Sequence, residues 1–202
     1  MPLGTDATFA VLAGSTVTNT GLTIVTGDLG VWPGTAVTGF GPGTVTGGAI
    51  HAGDATAMAA QADLTVAYNN AAARVNPSAV PADIGGTTIP PGVYKASTSL
   101  AITGNVTLDG QNNPNAVFIF QIPSTLTTAT NSSVTLINRA NACNVFWQVG
   151  SSATVDVASV FNGNILALAS ISLNTNATLN GRALARTGAV TLQTNIVTKT
   201  GP

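Results

Sequence analysis

The chain has 202 residues, enough for one domain with a sizeable core, and carries a formal net charge of −1. Charged residues make up only 6% of it, with no Glu, which gives no basic surface for nucleic acid or for an anionic membrane. We therefore expect neither as a partner. A hydrophobic content of 45% argues against disorder, and 31 Thr residues together with abundant Val favour a mainly β fold.

Residues 5–51 are predicted to form a first section of β-strands. Apolar and Thr-rich segments such as Phe9–Ala13 and Ile24–Val31 alternate with turns that contain Gly or Pro. Val25-Thr26-Gly27 recurs twenty residues later as Val45-Thr46-Gly47. This spacing is close to the period of a clearer repeat near the C-terminus.

Residues 54–75 are predicted to form one long α-helix. The segment contains neither Gly nor Pro, and its apolar residues recur at intervals of three and four, as on one face of a helix. Asp54 is the expected N-cap, and Asn76-Pro77 the expected stop, because a residue before proline avoids the α conformation. At 1.5 Å per residue the helix would be on the order of 30 Å long, about the height of six or seven stacked β coils.

Residues 93–200 are predicted to form a second section of stacked β coils. Asn162-Gly-Asn-Ile-Leu-Ala167 recurs eighteen residues later as Asn180-Gly-Arg-Ala-Leu-Ala185, and Ser172–Asn176 recurs nineteen later as Thr191–Asn195. Ser99–Gly110 aligns without gaps with Ser170–Gly181. A period of this length with alternating apolar residues is typical of a β-solenoid. We interpret residues 1–202 as a single domain, with Leu173, Leu179, Leu184 and Leu192 in its core.

The single cysteine and the N-terminus say little about the cellular compartment. Cys143 cannot form an intramolecular disulfide and is interpreted as a small buried residue. No segment has the apolar length that spans a bilayer. The first residues lack the apolar region of a signal peptide, so either the protein is cytosolic or a signal was removed and a starting Met supplied.

Seven segments occur in a characteristic order along almost the whole chain: Thr20–Gly34, Gln61–Tyr68, Pro91–Tyr94, Cys143–Thr154, Gly163–Ala167, Leu179–Arg186 and Gly188–Leu192. Together they resemble the DUF3494 family of ice-binding (antifreeze) proteins. The resemblance implies a discontinuous right-handed parallel β-solenoid of triangular section, with one long α-helix packed along its side. It also implies that the N-terminal coils pack next to the C-terminal ones.

The resemblance further implies a secreted protein that binds the surface of ice crystals and inhibits ice growth and recrystallisation. This favours the removal of a signal peptide. Ice and its ordered water would be the only partner of a monomer that has no catalytic activity, cofactor or metal.

The family's ice-binding face is associated with a Thr-Ala/Gly-x-Thr/Asn pattern. Thr20–Thr23 and Thr128–Asn131 match it in full, Thr175–Thr178 matches at its ends, and Thr194 matches the first position. The equivalent stretch Val157–Val160 lacks Thr and offers only Ser159. With two flanking threonines, the predicted ice-binding residues are Thr20, Thr23, Thr103, Thr107, Thr128, Asn131, Ser159, Thr175, Thr178 and Thr194.

Thr suits such a surface because its β-branched side chain is stiff and carries both a methyl group and a hydroxyl. The alternative for any single Thr is an ordinary solvent-facing strand residue. Stacked coils would repeat equivalent side chains about every 4.8 Å, close to a repeat of the ice lattice. A flat Thr-rich face is therefore the predicted ice-binding site.

Two other functions remain open on the residues alone. A polysaccharide-binding adhesion module would need a row of exposed aromatic residues, for which Trp32, Tyr68, Tyr94 and Trp147 are the candidates. A lyase or glycosidase would need paired carboxylates, but the seven Asp residues form no recognisable constellation and His51 stands alone. Arg182 and Arg186 are interpreted as hydrogen-bonding to corner carbonyls or to an Asp.

Overall fold

A computed structural model of the protein describes residues 3–201, and within them the chain winds into a three-sided β-solenoid. All named strands pair in parallel, in a 15-stranded and a 7-stranded sheet. The 15-stranded sheet supplies two sides, since its long strands β18 (Val160–Ala167) and β20 (Thr178–Ala185) bend from one side to the next. The predicted right-handed parallel solenoid of triangular section is confirmed.

One side, the helix-covered face, lies beneath the α-helix. Its strands, in stacking order, are β8 (Ser78–Ala79), β10 (Gly92–Lys95), β13 (Phe118–Ile122), β16 (Val145–Val149), the second halves of β18 and β20, β1 (Phe9–Ala13), β4 (Asp28–Val31) and β7 (Ile50–Ala52).

The 7-stranded sheet forms the second side, which we call the threonine face. It stacks β11 (Leu100–Ile102), β14 (Leu126–Thr128), β17 (Ala153–Val155), β19 (Ile171–Leu173), β21 (Val190–Gln193), β2 (Thr16–Thr20) and β5 (Ala36–Thr38).

The third side, the second open face, stacks β9 (Thr88–Ile89), β12 (Asn105–Asp109), β15 (Ser133–Ile137), the first halves of β18 and β20, β22 (Ile196–Thr198), β3 (Ile24–Thr26) and β6 (Thr44–Thr46).

The order of the coils is discontinuous. The N-terminal strand β1 pairs with β20 through Val11 and Ala183, and β2 pairs with β21 through Val17 and Val190. Ile24 of β3 likewise lies beside Ile196 of β22. The N-terminal coils therefore stack on the C-terminal coil, as the resemblance implied.

The 18-residue repeat is a structural coil. Every residue from Val160 to Ala167 pairs with the residue eighteen positions later, between Thr178 and Ala185. Each long strand bends at a glycine with positive φ, Gly163 at 117° and Gly181 at 153°. A Cβ atom on Gly181 would lie 1.9 Å from the carbonyl oxygen of Gly163, so only glycine fits where these coils touch.

The interior is filled by buried aliphatic residues and by one row of aromatic side chains. Tyr94, Phe120, Trp147 and Phe161 form a continuous stack, with centroid distances of 5.3, 4.1 and 5.1 Å. The Trp147 indole nitrogen donates to the Asn162 carbonyl at 3.1 Å. The predicted core leucines Leu173, Leu179, Leu184 and Leu192 are all fully buried.

The α-helix, α1 (Ala55–Ala72), lies along the helix-covered face. It buries one apolar face against the sheet, where Leu64 and Tyr68 belong to the same cluster as Phe146, Leu166 and Leu184. The Asp54 carboxylate accepts a hydrogen bond from the Ala57 amide at 2.9 Å, as expected for the N-cap, and also contacts His51 Nδ1 at 2.8 Å.

The helix ends three residues before the predicted end at Val75. The side-chain nitrogen of Gln121 donates to the carbonyls of Ala71, Ala72 and Arg74, at 3.0, 3.1 and 2.8 Å. This side chain binds the C-terminal end of the helix, where the last carbonyls have no amide partner four residues later. A contact from a distant strand therefore sets the boundary, ahead of the Asn76-Pro77 signal. Among residues 3–201, no helix has both the length and the apolar character to cross a membrane.

The N-terminal turn buries an uncompensated carboxyl group. Asp6 lies in a 3₁₀ turn, Gly4–Thr8, that packs against α1, and its side chain is fully buried. Neither carboxyl oxygen has a hydrogen-bond partner among the described residues. Burial, reinforced by the charge of Asp63 and opposed by that of Arg182, raises the pKa of Asp6 to about 8. The folded protein therefore keeps Asp6 protonated at neutral pH.

We predict that Asp6 makes the protein less stable as the pH rises. Its folded-state pKa exceeds the unfolded value of 3.8, so the folded chain retains a proton that the unfolded chain releases between these values. The free energy of unfolding should fall across this window, by at most about 1.4 kcal/mol per pH unit. Asp6→Asn should remove this slope in urea unfolding measured at about pH 5 and about pH 8.

Asp83→Asn is the matched control. Hydrogen bonds from Thr103 and from the Gly85 amide lower the pKa of Asp83, so its contribution is lost only at acid pH. A slope that is equal in the wild type and in Asp6→Asn would contradict the assignment.

Candidate functional site: the threonine face

The threonine face presents two parallel rows of small side chains to solvent. One row consists of outward-facing residues that pair in register from strand to strand, and the other of the residues two positions earlier. In stacking order the rows are Ala101, Thr127, Thr154, Ser172, Thr191, Thr18 and Thr38, and Ser99, Thr125, Ser152, Ser170, Ala189, Thr16 and Ala36. Every position in both rows is Thr, Ser or Ala, and none is charged.

The face is regular because alternate side chains of each strand are locked into the core. Ile171 and Leu173, on either side of Ser172, are fully buried, as are Val190 and Leu192 around Thr191. The strand pleat then points the intervening residue outward. Equivalent side chains repeat about every 4.8 Å across the strands, and the rows lie about 6.7 Å apart along them.

Hydrogen bonds between neighbouring coils restrain several of the hydroxyl groups. Thr125 Oγ1 donates to Ser99 Oγ at 2.9 Å, and Thr18 Oγ1 donates to Thr191 Oγ1 at 3.4 Å. Ser170 Oγ accepts from the Ala189 amide at 3.2 Å. With the stiff χ1 of Thr, these bonds order the hydroxyls before any ligand arrives.

The second open face is less even. One of its rows mixes bulky apolar residues with small and amide ones: Asn105, Ser133, Val160, Thr178, Ile196, Ile24 and Thr44. Val160, Ile196 and Ile24 are 43%, 50% and 44% exposed. Side chains of different length give this face relief that the threonine face lacks.

The predicted ice-binding residues do not form one flat face. Thr20, Thr103, Asn131, Thr175 and Thr194 are exposed at the corner between the threonine face and the second open face. Thr107 and Thr178 are partly exposed on the second open face itself. The structure thus brings five of the ten together along an edge.

Three of the predictions are wrong as surface contacts. Thr23, Thr128 and Ser159 are 0%, 6% and 1% exposed. Thr128 ends β14 at the register position that Val155 occupies in the next coil, so it points into the solenoid. A four-residue pattern read across a corner inevitably includes inward positions, and composition does not reveal which they are.

The gapless alignment of Ser99–Gly110 with Ser170–Gly181 also loses register at the corner. Only Thr103 and Gly104 separate β11 from β12, whereas four residues separate β19 from β20. Thr178 consequently lies in the same row as Asn105 and not in the row of Thr107. The successive pairs that connect them are Asn105 with Ser133, Ser133 with Val160, and Val160 with Thr178.

The predicted site residues do not include the outward rows of the threonine face, although a sequence signal for those rows exists. In β17, β19 and β21 a hydroxyl residue stands between two buried apolar residues, at Thr154, Ser172 and Thr191. These positions lie eighteen and nineteen residues apart, the period of the repeat.

The aromatic residues do not form an exposed row. Trp147, Tyr68 and Tyr94 are buried, and only Trp32 of the four candidates is partly exposed. Tyr68 lies under Arg186, whose guanidinium carbon is 4.8 Å from the ring centroid. Arg182 donates to the Ala7 carbonyl at 2.7 Å and to Asn164 at 2.9 Å, close to its predicted structural role.

Apart from the buried Asp6, the Asp carboxylates stabilise turns and caps. Asp28, Asp54, Asp63, Asp83, Asp109 and Asp156 each accept hydrogen bonds from amides or side chains of the chain itself. Cys143, predicted to be buried, is partly exposed in the 3₁₀ turn Ala142–Asn144. Within residues 3–201 no group of three or more His, Cys, Asp or Glu side chains is placed to hold a metal ion.

Within the residues that the structure describes, the chain is a parallel β-solenoid with one flanking α-helix, and comparison with known proteins identifies its family. Residues 11–198 match the sequence model of the family described as Ice-binding-like. An ice-binding protein of Nostoc sp. (strain HG1) is 51% identical over 96% of this chain and 72% of its own length. The chain therefore belongs to the Ice-binding-like family.

Two crystal structures are similar to the whole fold. An ice-binding protein from an Antarctic biological consortium is 50% identical, with a TM-score of 0.95 over 98% of this chain and 90% of its own. An ice-binding protein from the Antarctic ascomycete Antarctomyces psychrotrophicus is 41% identical, with a TM-score of 0.95 over 100% of this chain and 98% of its own.

Proposed function

We propose that the protein binds ice through the threonine face and thereby inhibits ice growth and recrystallisation. The observation that carries the proposal is the pair of rows in which all positions are Thr, Ser or Ala across the 7-stranded sheet. Membership of the Ice-binding-like family supports the same ligand.

The chemistry of the rows suits ordered water. Methyl groups of Thr and Ala offer apolar contact, while hydroxyls donate and accept single hydrogen bonds without the tightly held hydration of a charge. The strands that carry both rows are anchored by fully buried residues such as Val155 and Ile171. Little side-chain entropy is therefore lost when ice binds. Many weak contacts then hold the protein on the crystal, and the ice front must curve between the bound molecules.

The exposed corner residues extend this site at one edge. Thr20, at the end of β2, adjoins the threonine face, and its carbonyl accepts from the Thr194 amide at 2.9 Å. Thr103, Asn131 and Thr175 occupy the same corner in other coils. We assign these residues to the rim of the ice-binding site, and Thr107 and Thr178 to the neighbouring face.

The remaining features of the proposal follow from the ligand. A protein that meets ice crystals works outside the cell, so we propose that it is secreted. Adsorption through one face needs no second subunit, no cofactor and no catalytic step, so we propose a monomer that acts by binding alone.

We predict that Thr154→Tyr abolishes most of the ice activity. Thr154 is the middle residue of β17, the third of the seven stacked strands. A phenol ring at this position would hold the flat face away from the crystal. Thermal hysteresis and recrystallisation inhibition should both fall to a small fraction of the wild-type values, while circular dichroism stays unchanged.

Thr198→Tyr is the matched control, because Thr198 is a partly exposed strand residue on the second open face. It should retain activity. Full activity in Thr154→Tyr together with loss of activity in Thr198→Tyr would assign the site to the second open face. A wild-type protein that shapes no ice at tens of micromolar, or that sediments with insoluble glycans instead of ice, would refute ice binding itself.

We also predict that Ser172→Thr raises thermal hysteresis modestly. Ser172 lies between Thr154 and Thr191 in the first of the two rows, so the change would complete a run of threonines from Thr127 to Thr38. The added methyl group increases apolar contact and stiffens χ1. Ser133→Thr on the second open face should have no effect, and a decrease in Ser172→Thr would argue against the row as a contact.

A further inference from the structure

A column of buried polar side chains runs inside the corner between the threonine face and the second open face. It consists of Thr23, Thr128, Ser132, Ser159 and Asn195, which we call the corner column. All five are at most 6% exposed, and each side chain forms a hydrogen bond with the backbone of a corner. Such side chains do not touch ice, so their hydrogen bonds must serve the scaffold.

Asn195 and Thr23 join the corners of three successive coils. The side-chain nitrogen of Asn195 donates to the carbonyls of Asn174 and Ala177, at 2.8 and 3.0 Å, and its oxygen accepts from the Gln193 amide at 2.6 Å. The Asn195 amide in turn donates to Thr23 Oγ1 at 3.0 Å.

Thr128, Ser132 and Ser159 join another group of corners. Ser159 Oγ donates to the Ala129 carbonyl at 2.9 Å, and Thr128 Oγ1 accepts from the Asp156 amide at 2.8 Å. Ser132 Oγ accepts from the Gly104 amide at 3.0 Å. In this group, side-chain hydroxyls form the hydrogen bonds that buried backbone groups at the corners require.

The column is interrupted at one coil, where Ala177 stands at the position of Ser159. The corner beside it, Asp156–Ser159, is held from the outside, since the Asp156 carboxylate accepts from Asn174 and from Thr130, both at 2.8 Å. Ala158 in that corner adopts a left-handed φ of 54°. This is the stretch in which the Thr pattern of the sequence breaks.

We propose that the corner column acts as a set of positioning residues that fix the edge of the ice-binding face; the proposal rests on the function assigned above. The link is short. The Thr194 amide binds the Thr20 carbonyl, and Asn195 beside it is held by Thr23. Thr20 stands on the rim of the threonine face, so loss of the inner bond allows the rim to shift out of register with the rows.

Thr23→Val tests the column without changing the surface. Valine has the shape of threonine but leaves the buried Asn195 amide without its acceptor. We expect thermal hysteresis to fall by about twofold or more, although circular dichroism near 0 °C shows a fully folded protein. Thr23→Ser keeps the acceptor oxygen and should restore activity and slow exchange of the Asn195 amide proton.

The outcomes separate the two proposals. An inactive wild type refutes the proposed function. If the wild type is active and Thr154→Tyr is inactive, a folded and fully active Thr23→Val refutes only the role of the column. A Thr23→Ser variant with activity as low as that of Thr23→Val also refutes only that role. If Thr23→Val does not fold, Ser159→Ala is measured in its place, and full activity in that folded variant overturns the proposal.

Discussion

The in-register stacking of parallel strands is the constraint on which the rest of the structure depends. Each residue in a coil lies beside its equivalent in the next coil, as Val160 lies beside Thr178 and Ala167 beside Ala185. The backbone hydrogen bonds fix the separation at about 4.8 Å. A row of side chains is then a lattice with one spacing, whether it faces the core, as the Phe120–Trp147 stack does, or faces water, as Thr154 and Ser172 do.

The same hydroxyl chemistry therefore serves two purposes. Thr191 and Thr18 face outward and are ordered by each other, whereas Thr23 and Thr128 face inward and satisfy corner amides. Both uses need a small, stiff residue that can bond without charge. Because Thr serves both purposes, a count of Thr residues cannot locate the site.

The sequence predicts the architecture well and the site less well, for one physical reason. Periodicity reports which residues are equivalent between coils, so the repeats, the helix from Asp54 and the buried Leu173 and Leu192 follow from spacing. Orientation at a corner depends on how many residues turn it. The change from four residues before Thr178 to two before Asn105 leaves no trace in composition. Nor does the spacing reveal that Gln121, on a distant strand, ends the helix.

The discontinuous order of coils also determines the size of the threonine face. Two of its strands, β2 and β5, come from the N-terminal section, and they extend the face beyond β21 by about 10 Å. Their register is set by the pairing of Val17 with Val190 and by the neighbouring contact of Val11 with Ala183. The long helix lies across this junction and contacts strands of both sections, from β7 to β13 in stacking order. It thus holds the two halves of the face in one lattice, which neither section could present alone.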